Sequence, residues 1–271
     1  MLGAFAIYFV WITLAVSWNL AGGFGGLLNL GLAAFFGLGA VAAGVALQSG
    51  IPLVAMAPVS ALAGVALALF LVPFFRLKSF YFAMATFVVP FMVKPIVEVT
   101  SGSAVFRVPG NELLTSSQLY YWGLGMTAFA FVGVYVLLRS KVGLAVRTIG
   151  SDELASAAIG VNTTLYKAAA LAASGALAAL AGMYYLEVVG TVDTTLFQGL
   201  TFSLLPLFMV IIGGTGTLEG PVLGALIYCA LNYFVTSQFP GSTIDVFVLS
   251  LTLIAVAAFR PQGLIPRRAR L

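Results

Sequence analysis

The sequence contains very few charged residues. Only 7% of its 271 positions are Asp, Glu, Lys or Arg, whereas 62% are hydrophobic. A soluble domain carries about 25% charged residues, so this composition excludes an ordinary water-soluble fold. Lipid faces most of the surface of a membrane protein, and the chain has several nearly unbroken apolar runs, such as Leu53–Phe75 and Tyr120–Leu138. These runs have the length of about 20 residues that crosses a bilayer.

Residues for thiol and imidazole chemistry are also scarce. The chain has one cysteine, Cys229, and no histidine. This excludes an intrachain disulfide, a Cys/His metal cluster and a catalytic triad with an imidazole base. Because Cys229 lies in an apolar run, we interpret it as a small packing residue. The sequence therefore predicts no metal, no cofactor and no catalytic residues in this chain.

A phosphate-binding loop is missing too. None of the lysines follows a glycine, so the chain has no Gly-x-x-x-x-Gly-Lys-Ser/Thr motif with which to bind ATP phosphates. If ATP drives this protein, the ATPase is expected to be a separate chain. The first apolar run starts at Met1 without a basic region or a cleavage site, and we interpret it as a spanning helix rather than a signal peptide.

Apolar runs predict an all-α, polytopic membrane helix bundle of about nine transmembrane helices. Glycine and proline interrupt the runs and divide the chain into nine segments. The predicted helices are 2–20, 24–47, 52–75, 79–99, 118–138, 164–189, 196–213, 218–236 and 243–259. We therefore predict one transmembrane domain over residues 1–271, with a short cytoplasmic helix in the loop 139–163.

Basic residues are distributed unequally between the two ends of this predicted bundle. When the segment 139–163 and the C-terminal tail are placed in the cytoplasm, only Lys94 and Arg107 fall on the outer side, and the other Lys and Arg residues fall inside. This is the bias that orients membrane proteins. The net charge of +4 is thus explained without nucleic acid, for which the chain has no basic face with interleaved aromatic residues.

The inner connection 139–163 is predicted to contain a helix at 151–160. Ser151 is the predicted N-cap, and Asp152 and Glu153 suit the positive end of the helix dipole. Gly160 suits a left-handed stop, and most residues between are small or apolar. Two interpretations stay open, since such a helix either docks into a partner protein or packs under its own bundle.

Polar residues inside the predicted spans are few. Asn19 and Asn29 bracket a glycine-rich interruption, which is either a broken helix on a substrate pathway or, as we favour, an interhelical turn with Asn caps. Lys94 and Glu98 are spaced to pair along one helix. Glu187 lies near the outer end of its helix, where we expect it to meet water at a vestibule. No intramembrane carboxylate cluster resembles a proton or sodium relay.

Small residues recur at helical spacing. Close helix packing is the interpretation that we favour, and a pathway lined by small residues is the alternative. The clearest series lies in the sixth predicted helix and consists of Ala172, Gly175, Ala179 and Gly182.

Several blocks of sequence resemble one family of membrane proteins. The blocks run from Asn19 to Ala40, from Arg76 to Thr86, from Val142 to Lys167, and from Gly213 to Ala225, followed by Phe-Arg-Pro-Gln-Gly-Leu at 259–264. Together they resemble the LivM-type permeases of branched-chain amino acid ABC importers, in the same order and spacing over nearly the whole chain. The chain departs from the family's usual residues at Leu27, Asn29 and Leu32, where glutamine, serine and histidine are common.

The resemblance implies a function and a set of partners. The chain would be a multi-pass cell-membrane permease, not an enzyme, with lipid around it and its C-terminus in the cytoplasm. It would pair with a second permease subunit and two ATP-binding subunits, and an extracytoplasmic binding protein would deliver a small-molecule substrate, a branched-chain or similar amino acid. The residues expected to couple to the ATPase are Arg147, Asp152, Glu153, Ala155, Ala157 and Gly160. Those predicted along the translocation pathway are Asn19, Asn29 and Thr86.

Three alternatives stay open. Related permeases carry urea, short amides and other small polar solutes, so the substrate is not fixed. A secondary transporter driven by protons or sodium is disfavoured by the lack of an intramembrane carboxylate network. A non-transporting membrane scaffold accounts for the cytoplasmic helix, but it does not require helices broken by glycine.

Overall fold

A computed structural model describes residues 2–50, 53–109, 114–198, 200–238, 251 and 263–265, and these are almost entirely helical. The helices are α1 (Leu2–Asn19), α2 (Leu32–Gln48), α3 (Leu53–Phe70), α4 (Ser79–Ser101), α5 (Ser116–Arg139), α6 (Lys141–Ser151), α7 (Glu153–Ala158), α8 (Thr163–Val189), α9 (Thr201–Gly213) and α10 (Gly220–Gln238). The short strands are β1 (Val105–Arg107) and β2 (Thr191–Asp193). The predicted helical class is therefore confirmed, with one small ladder that the sequence did not predict.

Among the described residues, five helical segments are long and apolar enough to cross a membrane. They are Phe5–Phe24, Ala55–Arg76, Ser79–Ser101, Ser116–Arg139 and Thr163–Val189. Three shorter apolar helices lie at Leu32–Gln48, Thr201–Gly213 and Gly220–Val235. These eight elements fall on eight of the nine predicted runs, whereas the ninth run, 243–259, lies almost wholly outside the described residues. The described residues thus establish a polytopic helix bundle but not a count of nine spans.

The central helix of the bundle is α8, which packs against α1, α2 and α3. A β-carbon built on Gly182 would overlap the backbone of Phe36 in α2, and one built on Gly39 would overlap the backbone of Ala179. The two helices therefore touch backbone to backbone, which only small residues permit. This confirms close packing as the role of the small-residue series in α8.

The two polar connections lie at opposite ends of the bundle. The 27 residues of α8 span about 40 Å at 1.5 Å per residue. The helices α6 and α7 precede its first turn, where the Asn162 side chain accepts a hydrogen bond from the Leu165 amide at 3.1 Å. At the other end, Gly190 leads into β2, which pairs antiparallel with β1 and places Phe106 opposite Val192.

Two predictions concern charged groups near the β1–β2 end. The predicted ion pair is observed, and the predicted exposure of Glu187 is not. The Lys94 ammonium lies 3.9 Å from a Glu98 carboxylate oxygen, which confirms the pair, and the Thr194 hydroxyl also donates to that oxygen at 2.5 Å. The expectation that Glu187 meets water is wrong, since only 4% of the residue is exposed. Its helix, α8, is enclosed by neighbouring helices, and hydropathy does not reveal such enclosure.

Candidate translocation and coupling sites

The glycine-rich interruption forms a buried break between α1 and α2. After Asn19 the chain continues as a π-helical turn, Leu20–Phe24, and residues 25–31 then have no regular structure before α2 begins at Leu32. The predicted start of this helix at residue 24 is therefore wrong. Gly26 has φ +68°, a left-handed conformation that glycine adopts readily. Irregular backbone at membrane depth is tolerated where protein buries it.

Asn29 and Thr86 meet at this break. The Leu30 amide donates to the Thr86 hydroxyl oxygen at 3.1 Å, and the Asn29 amide oxygen accepts from the Gly31 amide at 2.9 Å. Both side chains are fully enclosed. The Asn29 side-chain nitrogen has no hydrogen-bond partner among the described residues. A buried donor without a partner is uncommon in folded proteins. The break therefore contains one N–H donor group that the described residues do not use.

Asn19 has a different role in this geometry. Its side-chain nitrogen donates to the Thr217 carbonyl at 2.7 Å, and its oxygen accepts from the Gly216 amide at 3.0 Å. The side chain thus ties α1 to the loop between α9 and α10. The prediction of a simple turn with Asn caps is wrong, because a π-helical turn follows Asn19 without a side-chain cap and the N-cap of α2 is Gly31, not Asn29. The Trp18 indole spans the break by donating to the Asn29 carbonyl at 2.7 Å.

The inner connection contains two helices instead of the single predicted helix 151–160. Ser151 is the last residue of α6, and its hydroxyl donates to the Arg147 carbonyl at 3.0 Å. The N-cap of α7 is Asp152, whose carboxylate accepts from the Ala155 amide at 2.9 Å. The prediction of Ser151 as the cap is wrong because the extended backbone of Asp152 separates the helices, and aspartate caps as well as serine does. The predicted left-handed stop is confirmed, since Gly160 has φ +86°.

The outward surface of α6 and α7 carries exposed apolar side chains among charged ones. Leu154 is 85% exposed and Ile159 is 76% exposed. The six residues predicted to couple to an ATPase are all exposed. They lie on these two helices, at the junction between them and in the turn that follows α7. An ion pair between Lys167 of α8 and Glu153 ties α7 to the bundle. Large apolar side chains left exposed mark interaction surfaces, and Leu154 and Ile159 are largely uncovered by the part of the chain that the structure describes.

The sequence analysis missed α6 as a separate element. One face of α6 is buried, with Val146 at 1% and Ile149 at 4% exposure, whereas Leu144 is 58% exposed on the other face. Val142, Val146 and Ile149 have the i, i+4, i+7 spacing of one face of an amphipathic helix, and this signal could have predicted α6.

Comparison with known proteins decides the family. A family model described as "Branched-chain amino acid transport system / permease component" matches residues 1–257. The chain belongs to this family. It is a permease component of an ABC importer and a multi-pass membrane protein, and the members of its family are transport components rather than enzymes.

Known relatives of this permease transport different substrates. The high-affinity branched-chain amino acid transport permease LivM of Salmonella typhimurium is 25% identical, over 95% of this chain and 68% of the relative. A probable LivM of Methanocaldococcus jannaschii is 21% identical, over 90% and 81%. The autoinducer 2 import permease LsrC of Yersinia pseudotuberculosis is 23% identical, over 86% and 69%. No solved structure matches the chain. The family therefore identifies a permease but does not fix its substrate.

Proposed function

We propose that this permease moves branched-chain or similar small amino acids into the cell, driven by ATP hydrolysis on separate chains. One transmembrane domain, residues 1–271, would pair with a second permease subunit and two ATP-binding subunits. An extracytoplasmic protein would deliver the substrate to the end that carries β1 and β2. The observation that carries the proposal is the set of exposed apolar side chains on α6 and α7, at one end of the helix bundle. The chain that carries them belongs to a family of importer permeases.

The proposed ATPase contact follows from the chemistry of this surface. The chain has no phosphate-binding loop, so force has to enter through a contact with another protein. Leu154 and Ile159 offer apolar area to bury, and Ala155 and Ala157 allow a partner to approach closely. Arg147, Asp152 and Glu153 would form the polar rim that is common around protein interfaces, and Gly160 would end the docking helix.

The proposed pathway runs along the break between α1 and α2. Within the described residues, the Asn29 side-chain nitrogen is a buried donor without a hydrogen-bond partner, and such a donor costs about 1–3 kcal/mol. A passing carboxylate or carbonyl would accept from it once the break opens. Thr86, which bonds the same segment, would stabilise the closed form, and Asn19 would hold the α9–α10 loop against it. Such a site binds weakly, which suits a substrate that must leave again.

ATP-dependent uptake by the purified complex tests the proposal. The permease, tagged and isolated from its native host with its partners, should carry ATP-binding subunits. In proteoliposomes supplied with the binding protein it should import leucine, isoleucine or valine only when ATP is present. The isolated permease should not bind leucine at micromolar concentration, because its intramembrane polar groups are few. Import of urea or an amide without any amino acid would contradict the substrate class, and uptake driven by a proton or sodium gradient would contradict the mechanism.

Cysteine labelling tests the proposed orientation. From the charge bias we expect the loop 139–163 and the C-terminus to face the cytoplasm, and residues 100–117, which connect α4 to α5, to face outward. In a Cys229→Ala background, Ser117→Cys should react with a membrane-impermeant maleimide added to intact cells, whereas Ser151→Cys should react only after lysis. Both serines are exposed, so access to reagent and not burial decides the result. Labelling of Ser151→Cys from outside would reverse the topology and remove the ATPase contact.

A further inference from the structure

The surface helix α6 touches the intramembrane break directly. A β-carbon on Gly150 would overlap the carbonyl of Phe24, and one on Gly26 would lie 3.2 Å from the Gly150 Cα. The two backbones therefore meet without side chains between them. Near this point a β-carbon on Gly25 would lie 3.5 Å from the Val146 side chain. Two backbones in direct contact are expected to move together, because close-packed groups transmit a displacement rather than absorb it.

A side-chain contact accompanies this backbone contact. The Arg147 guanidinium lies over the ring of Phe24, 5.4 Å from its centroid, within the range of a cation–π interaction. Arg147 is exposed at the surface, whereas Phe24 is 3% exposed. One residue of the pair is thus reachable by a docked partner, and the other belongs to the break.

The break in turn is bonded to the proposed pathway. The Leu27 amide donates to the Ala21 carbonyl at 3.0 Å, and the Trp18 indole donates to the Asn29 carbonyl at 2.7 Å. A displacement at residues 24–26 would therefore reach Asn29 and its neighbour Leu30, whose amide bonds Thr86. π-helical turns of this kind are often found at functional sites.

We propose that Phe24 and Gly150 are positioning residues that transmit movement of α6 and α7 to the intramembrane break. Movement of a docked ATPase would shift α6, and the Gly26–Gly150 contact with the Arg147–Phe24 pair would carry that shift to the segment 25–31. The opening of the break would follow from the loss of the hydrogen bond between the Leu30 amide and Thr86. This inference rests on the proposed function, since it assumes that an ATPase docks on this surface.

Phe24→Leu tests the link without altering the docking surface. The variant keeps an apolar side chain in the buried site and removes the ring beneath Arg147. We expect the complex to keep its ATP-binding subunits and its rate of ATP hydrolysis, while substrate imported per ATP hydrolysed falls roughly 2- to 30-fold, the range that residues on a coupling route produce. Phe24→Met is the second variant if the leucine form is poorly produced. Phe106→Leu, equally buried at the β1–β2 end, is the matched control and should keep the normal ratio.

A double-variant cycle separates one link from two independent effects. If Phe24 and Arg147 act together, Phe24→Leu combined with Arg147→Gln should transport no worse than the poorer single variant. Losses that multiply, or a normal transport-to-hydrolysis ratio in Phe24→Leu, would overturn the inference. Failure of the unaltered permease to carry an ATPase or to use ATP would instead overturn the proposed function, so the two failures are distinguishable.

Discussion

Ala157→Glu is expected to release the ATP-binding subunits from the permease. Ala157 is exposed on α7, so the change should cost this chain little stability on its own, within about 0.5 kcal/mol for a surface site. In the proposed interface it would bury a carboxylate with no partner. An uncompensated buried charge costs about 3–5 kcal/mol, which lowers affinity by roughly 100-fold or more. Co-purification of the ATPase with tagged permease, and ATP-dependent uptake, should both be lost.

The same substitution at the far end of the molecule is the control. Ala104 is also exposed, but it lies beside β1, and Ala104→Glu should leave the ATPase bound.

Gly160→Val adds an independent test of the helix end. The φ of +86° at Gly160 is unfavourable for a branched residue, although a β-carbon there would meet no other atom within 4 Å. Normal subunit stoichiometry and transport in both Ala157→Glu and Gly160→Val would remove α7 as the coupling element.

Gly182→Leu is expected to disrupt the membrane bundle itself. A β-carbon at this position would overlap the backbone of Phe36, so α2 and α8 would have to separate along the centre of the molecule. Forced separation of packed helices belongs to the class of changes that cost more than about 4 kcal/mol. The fraction of monodisperse protein in detergent after heating should collapse at a much lower temperature, or the variant should not accumulate in the membrane at all.

Gly133→Leu shows whether the effect comes from the contact or from the residue type. Gly133 lies in α5, and a β-carbon there would meet no atom within 4 Å. Replacement of a helical glycine by leucine also favours the helix intrinsically. The heating profile of Gly133→Leu should therefore match the unaltered protein. Equal profiles for Gly182→Leu and Gly133→Leu would mean that the α2–α8 contact does not hold the fold together.

Local chemistry predicted some details well. The i, i+4 spacing of Lys94 and Glu98 gave their pair, which side-chain reach along a single helix decides. Gly160 was expected at a left-handed stop because an L side chain resists that conformation. The apolar runs placed seven helices within about five residues of their observed bounds, with α2 as the exception, since the length of a hydrophobic stretch reflects the thickness of the bilayer.

Details that depend on competition between neighbouring residues were not predicted. Ser151 and Asp152 are both good N-caps, and only the backbone path decided for Asp152. The start of α2 moved from residue 24 to Leu32 because the segment 25–31 accepts a hydrogen bond from the Trp18 indole and donates one to the Thr86 hydroxyl. Those partners are distant along the chain or in another helix, and periodicity within one segment carries no information about them.

The sequence by itself determined that this protein lies in a membrane and contains a short capped helix between spans. As for ATP, the sequence determined only that the chain has no Gly-x-x-x-x-Gly-Lys-Ser/Thr motif. These properties follow from residue type and short-range geometry, which the order of amino acids contains directly. The tertiary structure decided which glycines touch another backbone. It also decided that Asn29 and Thr86 bond neighbouring amides at the break and that α6 contacts the break through Gly150. Such contacts arise when separate helices pack against one another, because each depends on the positions of several helices at once.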